Sequence, residues 1–291
     1  MMRRTDTHDA LPTWLADWDP PGTFDVDAGV FVGADDVRAS FPSEGIGVFA
    51  DVDERSFWFE HRSLVIVDLV SRFAGPSSTM LEVGSGSGAV AARLAAEGHD
   101  VMAVEPGAGG AALARRRGVP VAFQGTLHDA ALPADLFDVV GLFDVIEHLD
   151  EWRSVLAEAG RVLRPDGHVL VTVPAHQWLW SEHDEWNEHR RRYSRSMLRG
   201  HFREAGLEVV RTAPLFAPLL PPAMMRRLFS GRGRGDAGAH EARLRSQLEP
   251  HPVVNRVLSG VLGIERTAMR WVPMPFGTSR YAVARRAKVR G

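Results

Sequence analysis

The sequence predicts an α/β protein built on a doubly wound, mostly parallel sheet of seven strands, with a helical insertion near the C-terminus. Two observations predict this class. Short apolar runs alternate with helical stretches of about ten residues, which is the pattern of βαβ units. The composition, 45% hydrophobic and 24% charged over 291 residues, is that of a globular chain long enough for one large domain with an added lobe.

The elements are expected in the following order. Apolar side chains at helical spacing predict a first helix over 54–73, which Gly75 and Pro76 end. Residues 1–53 are rich in Asp, Gly and Pro and are expected to form an extended lead-in segment. Strands are predicted at 79–83, 100–104, 119–123, 137–143, 169–173, 207–212 and 280–284, and further helices at 89–96, 109–117, 152–163, 195–205 and 253–272.

These elements divide the chain into parts. Residues 54–212 hold all but the last strand and form the predicted Rossmann-like core. A basic, proline-punctuated helical cap over 213–278 is expected to interrupt the domain before the last strand and tail, 279–291. Right-handed crossovers place helices on both faces of such a sheet and ligands at the carboxyl ends of its strands.

Charge is distributed unevenly along the chain. The net charge is −3, but residues 190–291 contain 21 Lys and Arg against 6 Asp and Glu, which predicts an anionic partner for that end. The absence of cysteine excludes a disulfide scaffold, a thiolate metal site and a cysteine nucleophile. No apolar run follows the N-terminal arginines, so no signal peptide is predicted and the cytoplasm is the expected location.

A glycine cluster follows the first strand of the core and opens a helix. It runs Leu81-Glu82-Val83-Gly84-Ser85-Gly86-Ser87-Gly88, and glycine there lets the backbone approach a ligand closely. The free N–H groups of the helix N-terminus face the same place. Because Gly84-x-Gly86-x-x-Ala89 also satisfies the dinucleotide fingerprint, the cluster alone leaves a nicotinamide or flavin enzyme open.

Two carboxylates narrow the choice of cofactor. Glu82 stands on the strand end just before the first glycine, where it attracts a cationic ligand in preference to a pyrophosphate. Glu105 ends the next strand and is placed to accept both hydroxyls of a ribose. An acid before the glycines therefore favours a ligand that carries an ammonium and a sulfonium.

These motifs, in this order, resemble those of the class I S-adenosylmethionine-dependent methyltransferases over residues 55–175. The glycine motif, Val104-Glu105-Pro106, the fourth strand and the turn 163–167 all have counterparts in that family. One departure is at Gln124-Gly125, where the family often carries Asp at the start of its adenine loop. The resemblance implies S-adenosylmethionine as cofactor, bound by Glu82, Gly84, Ser85, Gly86, Gly88, Glu105, Pro106, Gly125, Thr126, Leu127, Phe143 and Asp144.

Two flanking segments resemble a bacterial small-molecule subgroup of that family, similar to the ubiquinone-biosynthesis methyltransferases. Residues 57–62, Phe-Trp-Phe-Glu-His-Arg, resemble the aromatic-arginine helix that precedes the glycine motif. This implies Arg62 as a ligand of the methionine carboxylate of the cofactor, the alternative being a surface arginine beside packed aromatic rings. Residues 183–194 resemble the segment that follows the fifth core strand in that subgroup.

Methyl transfer from a sulfonium is an in-line displacement, so alignment of the reacting atoms and exclusion of water contribute most to the rate. A base helps when the acceptor atom starts protonated. His183 is the first candidate for that base, followed by His176 and His148. Loops at strand ends form the acceptor pocket in this architecture. Acceptor ligands are therefore expected among Trp180, His189, Arg191, Arg192 and Tyr193, with a solvated charged helix as the alternative.

The spacing Asp144-x-x-Glu147-His148 resembles the metal-binding motif of ubiquinone-biosynthesis O-methyltransferases and small-RNA 3′-end methyltransferases. A hard divalent ion would need a further ligand, for which His176 and His183 are the candidates. The alternative is that these residues cap a helix and line the cofactor site. We favour that alternative and assign no metal.

The insertion 213–278 also has two interpretations. A helical lid on the acceptor site, or a homodimer contact, is favoured because the apolar runs are short and lack a long continuous amphipathic face. The alternative is a peripheral membrane contact through 215–216, 219–220 and 224–225, beside Arg226 and Arg227.

The sequence thus predicts an S-adenosylmethionine-dependent methyltransferase that acts on an O or N atom of a small-molecule or lipid-linked, anionic acceptor. The alternatives are a metal-dependent RNA methyltransferase and a non-catalytic cofactor-binding protein. Nucleic acid is not expected as a partner, because the basic run Arg190-Arg191-Arg192 lacks stacking aromatics at regular spacing.

Overall fold

A computed structural model describes residues 11–33, 53, 55–229, 251–272 and 274–287. The strands are β1 Thr23–Asp25, β2 Val30–Val32, β3 Thr79–Val83, β4 Asp100–Glu105, β5 Val121–Gln124, β6 Phe137–Phe143, β7 Leu163–Pro174, β8 Leu207–Leu215 and β9 Ser279–Arg286. The helices are α1 Phe57–Phe73, α2 Ala89–Ala96, α3 Ala108–Arg116, α4 Trp152–Val162, α5 Glu182–Trp186, α6 Arg195–Glu204, α7 Leu220–Phe229 and α8 Pro252–Ala268.

The strands form one sheet in the order β1-β2-β5-β4-β3-β6-β7-β9-β8. From β2 to β7 every neighbouring pair is parallel, whereas β9 is antiparallel to both β7 and β8. Strand order reverses beside β3, and this is the place where ligands bind in open α/β sheets. The predicted fold class, a doubly wound and mostly parallel α/β sheet, is confirmed.

Two hydrophobic cores cover the two faces of this sheet. Side chains that alternate along a strand belong to different cores, as Met80 and Leu81 do on β3. One core is completed by helices α1, α2, α3 and α8, and the other by α4 and α6. The long apolar runs of the central strands follow from this, because both of their faces are buried.

The N-terminal lead-in contributes more to the sheet than the sequence predicts. Strands β1 and β2 extend the seven expected strands to nine, since β2 pairs in parallel with β5. Trp18 anchors this extension: its indole N–H donates to Ala130 O at 2.8 Å, and its ring packs edge-on against Phe31 and Phe123. Strands of three residues are too short to show a period in the sequence.

The described parts of the segment between β8 and β9 contain the helices α7 and α8. Helix α7 begins at Leu220 with prolines in its first turn, where a missing N–H costs nothing. Helix α8 packs along α1: Asn255 accepts from Phe57 N at 2.9 Å, and Arg266 pairs with Asp68 at 2.6 Å. The Gly-Arg run at 231–235 lies outside the described residues. Within the described part of the chain, no helix has the length and hydropathy needed to cross a membrane.

Candidate active site

Three acidic residues lie together at the carboxyl edge of the sheet. Glu82, Glu105 and Asp144 stand on or directly after the neighbouring strands β3, β4 and β6, which the parallel register brings side by side. Within this group, the negative charge of Glu105 is close enough to Glu82 to raise the pKa of Glu82. Sequence order separates these residues widely, so the sheet alone assembles them.

The glycine loop after β3 is shaped for close approach of a ligand. Gly84 and Gly88 have φ of +67° and +74°, which only glycine adopts without strain. A Cβ on Gly84 would lie 2.8 Å from the Val145 side chain, and one on Gly88 would lie 2.4 Å from the Cβ of Ala114. The loop therefore packs tightly against its neighbours while its backbone N–H groups stay near the strand ends.

Glu82 is a buried carboxylate that lacks a complete set of partners. Its side-chain atom Oε2 is buried and accepts no hydrogen bond from the described residues. Burial raises the pKa of Glu82 to about 8, against the lowering effect of the nearby Arg62. A buried acceptor in this state fits a cationic ligand, because such a ligand restores both a hydrogen bond and the charged form.

Glu105 supports the same loop from β4. One of its oxygens accepts from Gly86 N and the other from Gly107 N, both at 2.8 Å. Burial raises the pKa of Glu105, and these two hydrogen bonds oppose the rise. Each carboxylate oxygen carries a second lone pair, so the residue can hold the loop and still accept the hydroxyls of a ribose.

Arg62 is directed from α1 into the end of β6. Its guanidinium donates to Asp144 Oδ2 at 2.5 Å and to Phe143 O at 2.7 Å, and it lies over the Trp58 ring. Asp144 has a φ of +58°, so this pairing holds the residue in the left-handed region. The predicted contact of Arg62 with the cofactor carboxylate stays a prediction, and the arginine lies beside the expected cofactor.

The predicted adenine loop closes on itself. Asp129 accepts from Thr126 N at 2.8 Å and from its hydroxyl at 2.6 Å, while Leu127 is buried in the core. Gly125 has a φ of +152° and packs against Phe123. The Leu127 side chain is buried, and the backbone of Gly125 and Thr126 directly follows β5, so the predicted adenine contacts of this loop stay predictions.

The segment after β7 is organised around Asp184, which is fully buried. Arg192 donates to both of its oxygens at 2.7 and 2.9 Å, and His189 Nδ1 lies 2.9 Å from Oδ1. Asp184 also completes a capping box with Ser181 at the start of α5. Burial opposes ionisation, but the bonds to His189 and Arg192 hold the pKa of Asp184 well below its usual range.

These contacts change the roles expected for the basic run. Arg192 is saturated by Asp184, which makes it a support for α5 and does not favour the predicted acceptor contact. Tyr193 is fully buried and donates to Ile146 O at 3.2 Å, and burial raises its pKa. Arg191 differs, because its Nη2 lies 3.6 Å from the exposed Asp150 while its Nη1 is buried and has no hydrogen-bond partner within the described ranges. Arg191 is therefore the arginine of this run that suits an anionic acceptor.

The other predicted acceptor residues line the start of the same segment. His176 has a φ of +63° and lies beside the exposed Trp178, and burial lowers its pKa. His183 Nε2 is 2.9 Å from the Asn187 amide nitrogen one turn along α5. Trp180 ends the short turn that leads into α5 and is partly exposed. The roles of these three residues in catalysis and acceptor binding stay predictions.

The side chains of Glu147, His148 and His189 lie close together. One ligand atom from each lies within 4.8 Å of the others. Both Glu147 oxygens are buried without a hydrogen-bond partner in the described part of the chain. Desolvation, aided by the neighbouring His189, lowers the pKa of His148 to about 4, so its imidazole is neutral. Because Asp184 fixes the His189 Nδ1, the residues fit a divalent ion, which would be held by one carboxylate and two imidazoles.

Sequence reasoning missed two features of this region. Asp184 carried no predicted role, and only its place between two histidines hints at one. His189 was expected to contact the acceptor, whereas His176 and His183 were the candidates to join Glu147 and His148. The chain brings His189 there because Arg190 N donates to Glu147 O at 2.7 Å and ties the two segments together.

Fold and site together define a class. A glycine loop at the carboxyl edge of a parallel sheet, one acid placed for a ribose and an under-partnered acid placed for a cation are the requirements of an adenosine-containing cofactor that bears positive charge. The comparisons with known proteins identify the family.

The chain matches the methyltransferase-domain family over residues 58–212, more than half of its length, and belongs to that family. It is 33% identical over 137 residues to a "probable S-adenosylmethionine-dependent methyltransferase" of Mycolicibacterium smegmatis, covering 47% of this chain and 52% of that protein. It is 30% identical over 133 residues to a ubiquinone biosynthesis O-methyltransferase of Azorhizobium caulinodans, covering 44% and 49%. The chain spans about half the length of these relatives.

Solved structures share the fold at low identity. Phosphoethanolamine N-methyltransferase 2 of Haemonchus contortus, in complex with S-adenosyl-L-methionine, gives a TM-score of 0.54 at 16% identity and covers 86% of this chain and 59% of that chain. A SAM-dependent methyltransferase of Thermotoga maritima gives 0.52 at 18%, covering 84% and 96%. The family match confirms the predicted class and its cofactor, S-adenosylmethionine.

Proposed function

We propose that this protein transfers a methyl group from S-adenosylmethionine to an O or N atom of an anionic acceptor, either a small molecule or a lipid-linked one. The observation that carries the proposal is the buried, under-partnered Glu82 beside the glycine loop. Glu82 would face the cationic end of the cofactor, Glu105 its ribose, and Arg62 its carboxylate. When bound, the cofactor supplies an already activated methyl group, so the protein contributes alignment and exclusion of water.

His148 is the best supported of the three predicted bases. Burial lowers its pKa to about 4, so the imidazole is unprotonated at neutral pH, and it lies on the same loop as Asp144 at the end of β6. The His189 ring is 4.7 Å away, held by Asp184. Arg191 would meet the negative charge of the acceptor. His183 and His176 stay predictions for the same base.

The test is release of S-adenosylhomocysteine with a panel of hydroxyl- and amino-bearing carboxylates and phosphates, free and lipid-linked. For the acceptor that responds, we expect His148→Asn to lower kcat by roughly a hundredfold while the Kd for S-adenosylmethionine is unchanged. His168→Asn is the control, because His168 is half-buried at the opposite end of the sheet. Equal kcat for both variants would exclude His148 as the base.

A second candidate is a metal-dependent RNA methyltransferase, favoured by the grouping of Glu147, His148 and His189. A divalent ion there would polarise an acceptor oxygen as a Lewis acid. Calorimetry with Mn²⁺ alone would show binding that Glu147→Gln abolishes, and a chelator would remove activity. RNA binding that falls steeply with salt would complete the case. Full activity in the presence of a chelator would end it.

The remaining proposals concern partners and location. The basic balance of the C-terminal part supports an anionic acceptor or an anionic surface that carries it. A peripheral membrane contact and a homodimer through 213–278 are both compatible with exposed apolar side chains on α7 and α8. A cytoplasmic location is proposed on the sequence alone.

A further inference from the structure

Helix α8 has one covered face and one bare face. Leu258, Leu262 and Glu265 pack towards α1 and the turn Ala217–Leu219. The opposite side carries a row of exposed apolar residues at helical spacing, with Ile264 as much as 72% exposed. We call this row the α8 stripe, and it consists of Val253, Val257, Val261 and Ile264.

The α8 stripe is a continuous row of exposed apolar residues, whereas an ordinary protein surface carries such residues singly. Single exposed valines are common, but a contiguous apolar row on a helix marks a surface that a partner covers. Trp271, just past the end of the helix, is 83% exposed. Amphipathic aromatic rings of this kind favour the boundary between water and lipid headgroups.

Charge around the α8 stripe is positive. On a helical projection Arg256 lies along one margin of the stripe and is exposed, whereas Arg270, just past the end of the helix, pairs with Asp68 of α1 at 3.5 Å. The one acidic residue of α8, Glu265, is buried, where it accepts from Ala217 N at 2.6 Å and lies 3.0 Å from His61 Nε2. An apolar row with a basic margin and no exposed acid matches the pattern of a helix that lies on an anionic membrane.

Helix α7 extends this surface. Met224 and Met225 are exposed on it, with Arg227 beside them. Both α7 and α8 contact the turn Ala217–Leu219. The apolar and basic residues of two helices are thus anchored to one short turn.

We propose that α7 and α8 form a docking surface for a bilayer that carries anionic lipid. A second copy of the chain suits this surface less well, because a two-fold contact would bring the basic margin of one copy, at Arg256, towards that of the other. The excess of 21 basic over 6 acidic residues in 190–291 adds long-range attraction to an anionic bilayer.

The position of this surface relates it to the candidate active site. Asn255, near the start of α8, contacts the start of α1, whose Arg62 reaches the end of β6. Helix α7 contacts the turn Gln177–Leu179 directly after β7. A docked bilayer would lie beside the proposed acceptor segment. Delivery of a lipid-linked acceptor from that bilayer rests on the proposed function, whereas docking itself does not.

The experiment is co-sedimentation of the full chain with vesicles of phosphatidylcholine, with and without phosphatidylglycerol. We expect binding to the anionic vesicles and its loss in salt. The double variant Val257→Glu/Ile264→Glu should lower the bound fraction roughly tenfold or more, because it places two carboxylates in the apolar stripe. Val26→Glu is the matched control, since Val26 is 57% exposed on the distant β1 edge and Val257 is 59% exposed.

Several outcomes would overturn the docking surface. These are equal sedimentation of the wild type with both vesicle types, equal losses in the double variant and in Val26→Glu, or a dimer that the double variant dissociates without any vesicle binding. Far-UV circular dichroism and calorimetry with S-adenosylmethionine on the same samples check folding and the cofactor site. Failed docking with intact cofactor binding refutes the surface alone, whereas absent cofactor binding refutes the proposed function and leaves the vesicle result standing.

Discussion

Glu82 is a buried acid in the candidate cofactor site, and burial raises its pKa. It is fully buried, and one oxygen has no partner among the described residues. A buried carboxyl group of this kind is stable when protonated and becomes costly when it ionises. The cofactor relieves that cost, because a cation beside Glu82 favours the charged form. Binding of S-adenosylmethionine is thus coupled to release of a proton.

This coupling predicts how stability depends on pH. The folded pKa of Glu82 is about 8, and its unfolded value is 4.5. Between them the folded state holds a proton that the unfolded state has lost, so the free energy of unfolding falls as pH rises, by at most about 1.4 kcal/mol per pH unit. Glu82→Gln keeps the neutral form at every pH and should flatten the slope of Tm against pH.

The neighbouring Glu105 has a raised pKa as well, so the wild-type slope has more than one source. The comparison is therefore between variants. Glu97→Gln, an exposed residue at the end of α2, should keep the wild-type slope. If Glu82→Gln and Glu97→Gln gave the same slope between about pH 5 and about pH 8, the proposed protonation of Glu82 would be wrong.

At the scale of elements, helix α3 sets how closely the glycine loop approaches its neighbours. A Cβ on Gly110 would lie 2.5 Å from Gly86 O and 2.8 Å from Glu105 Cγ, whereas one on Gly109 meets nothing within 4 Å. Gly110→Ala should cost about 1–3 kcal/mol by overpacking and should weaken cofactor binding, because the loop must move.

Gly109→Ala is the matched variant on the same helix. It should stabilise the protein by roughly 0.5–1 kcal/mol, since alanine has the higher helix propensity, and leave cofactor affinity unchanged. Urea unfolding and calorimetry measure both quantities. Equal affinities for the two variants would contradict the role given to α3.

Asp184 stabilises the segment after β7, as α3 stabilises the glycine loop. Asp184→Asn removes the charge that Arg192 and His189 both contact, and should cost on the order of 3 kcal/mol because it leaves a buried arginine uncompensated. The exposed Glu185→Gln on the same helix should change stability by less than about 0.5 kcal/mol. Urea unfolding of the two variants decides between a buried support and a solvated helix.

The elements of the core could be predicted from sequence because their periods are clear. Strands β3 and β6 and helices α1 and α2 end where glycine, proline or a change of period ends them. Helix α7 was hidden by its two prolines, which break a helix interior but are tolerated in a first turn. Strands β1 and β2 form because β2 pairs with β5 and β1 pairs with β2. No local sequence pattern shows this pairing.

The candidate site likewise contains residues that the sequence could place and residues that it could not. The glycine loop is a local motif that the sequence shows directly, whereas the parallel register of β3, β4 and β6 brings Glu105 and Asp144 to it. The meeting of Glu147 and His148 with His189 depends on a tertiary hydrogen bond from Arg190, and spacing cannot show it. The α8 stripe becomes visible only when α1 covers the other face of the helix. The sequence favoured a lid, which stays a prediction, and the structure adds the exposed apolar row on α8.

At the scale of the whole molecule, the distribution of charge along the chain agrees with the positions of the proposed donor and acceptor sites. The acidic part of the chain contains Glu82 and Glu105 and would face the cationic donor, while the basic part begins at the acceptor segment and continues through α7 and α8. Donor and acceptor sides thus lie on opposite sides of a charge boundary near residue 190. Such a division would attract the anionic acceptor that we propose.

The central claim is that S-adenosylmethionine binds at the glycine loop through Glu82 and Glu105. Isothermal titration of the wild type, Glu82→Ala and Glu105→Ala with S-adenosylmethionine tests it most directly. We predict one site in the wild type and a loss of about tenfold to a hundredfold in affinity for each variant, as expected when a hydrogen-bonded charge is removed. No binding to the wild type, or equal affinity in all three proteins, would contradict the account.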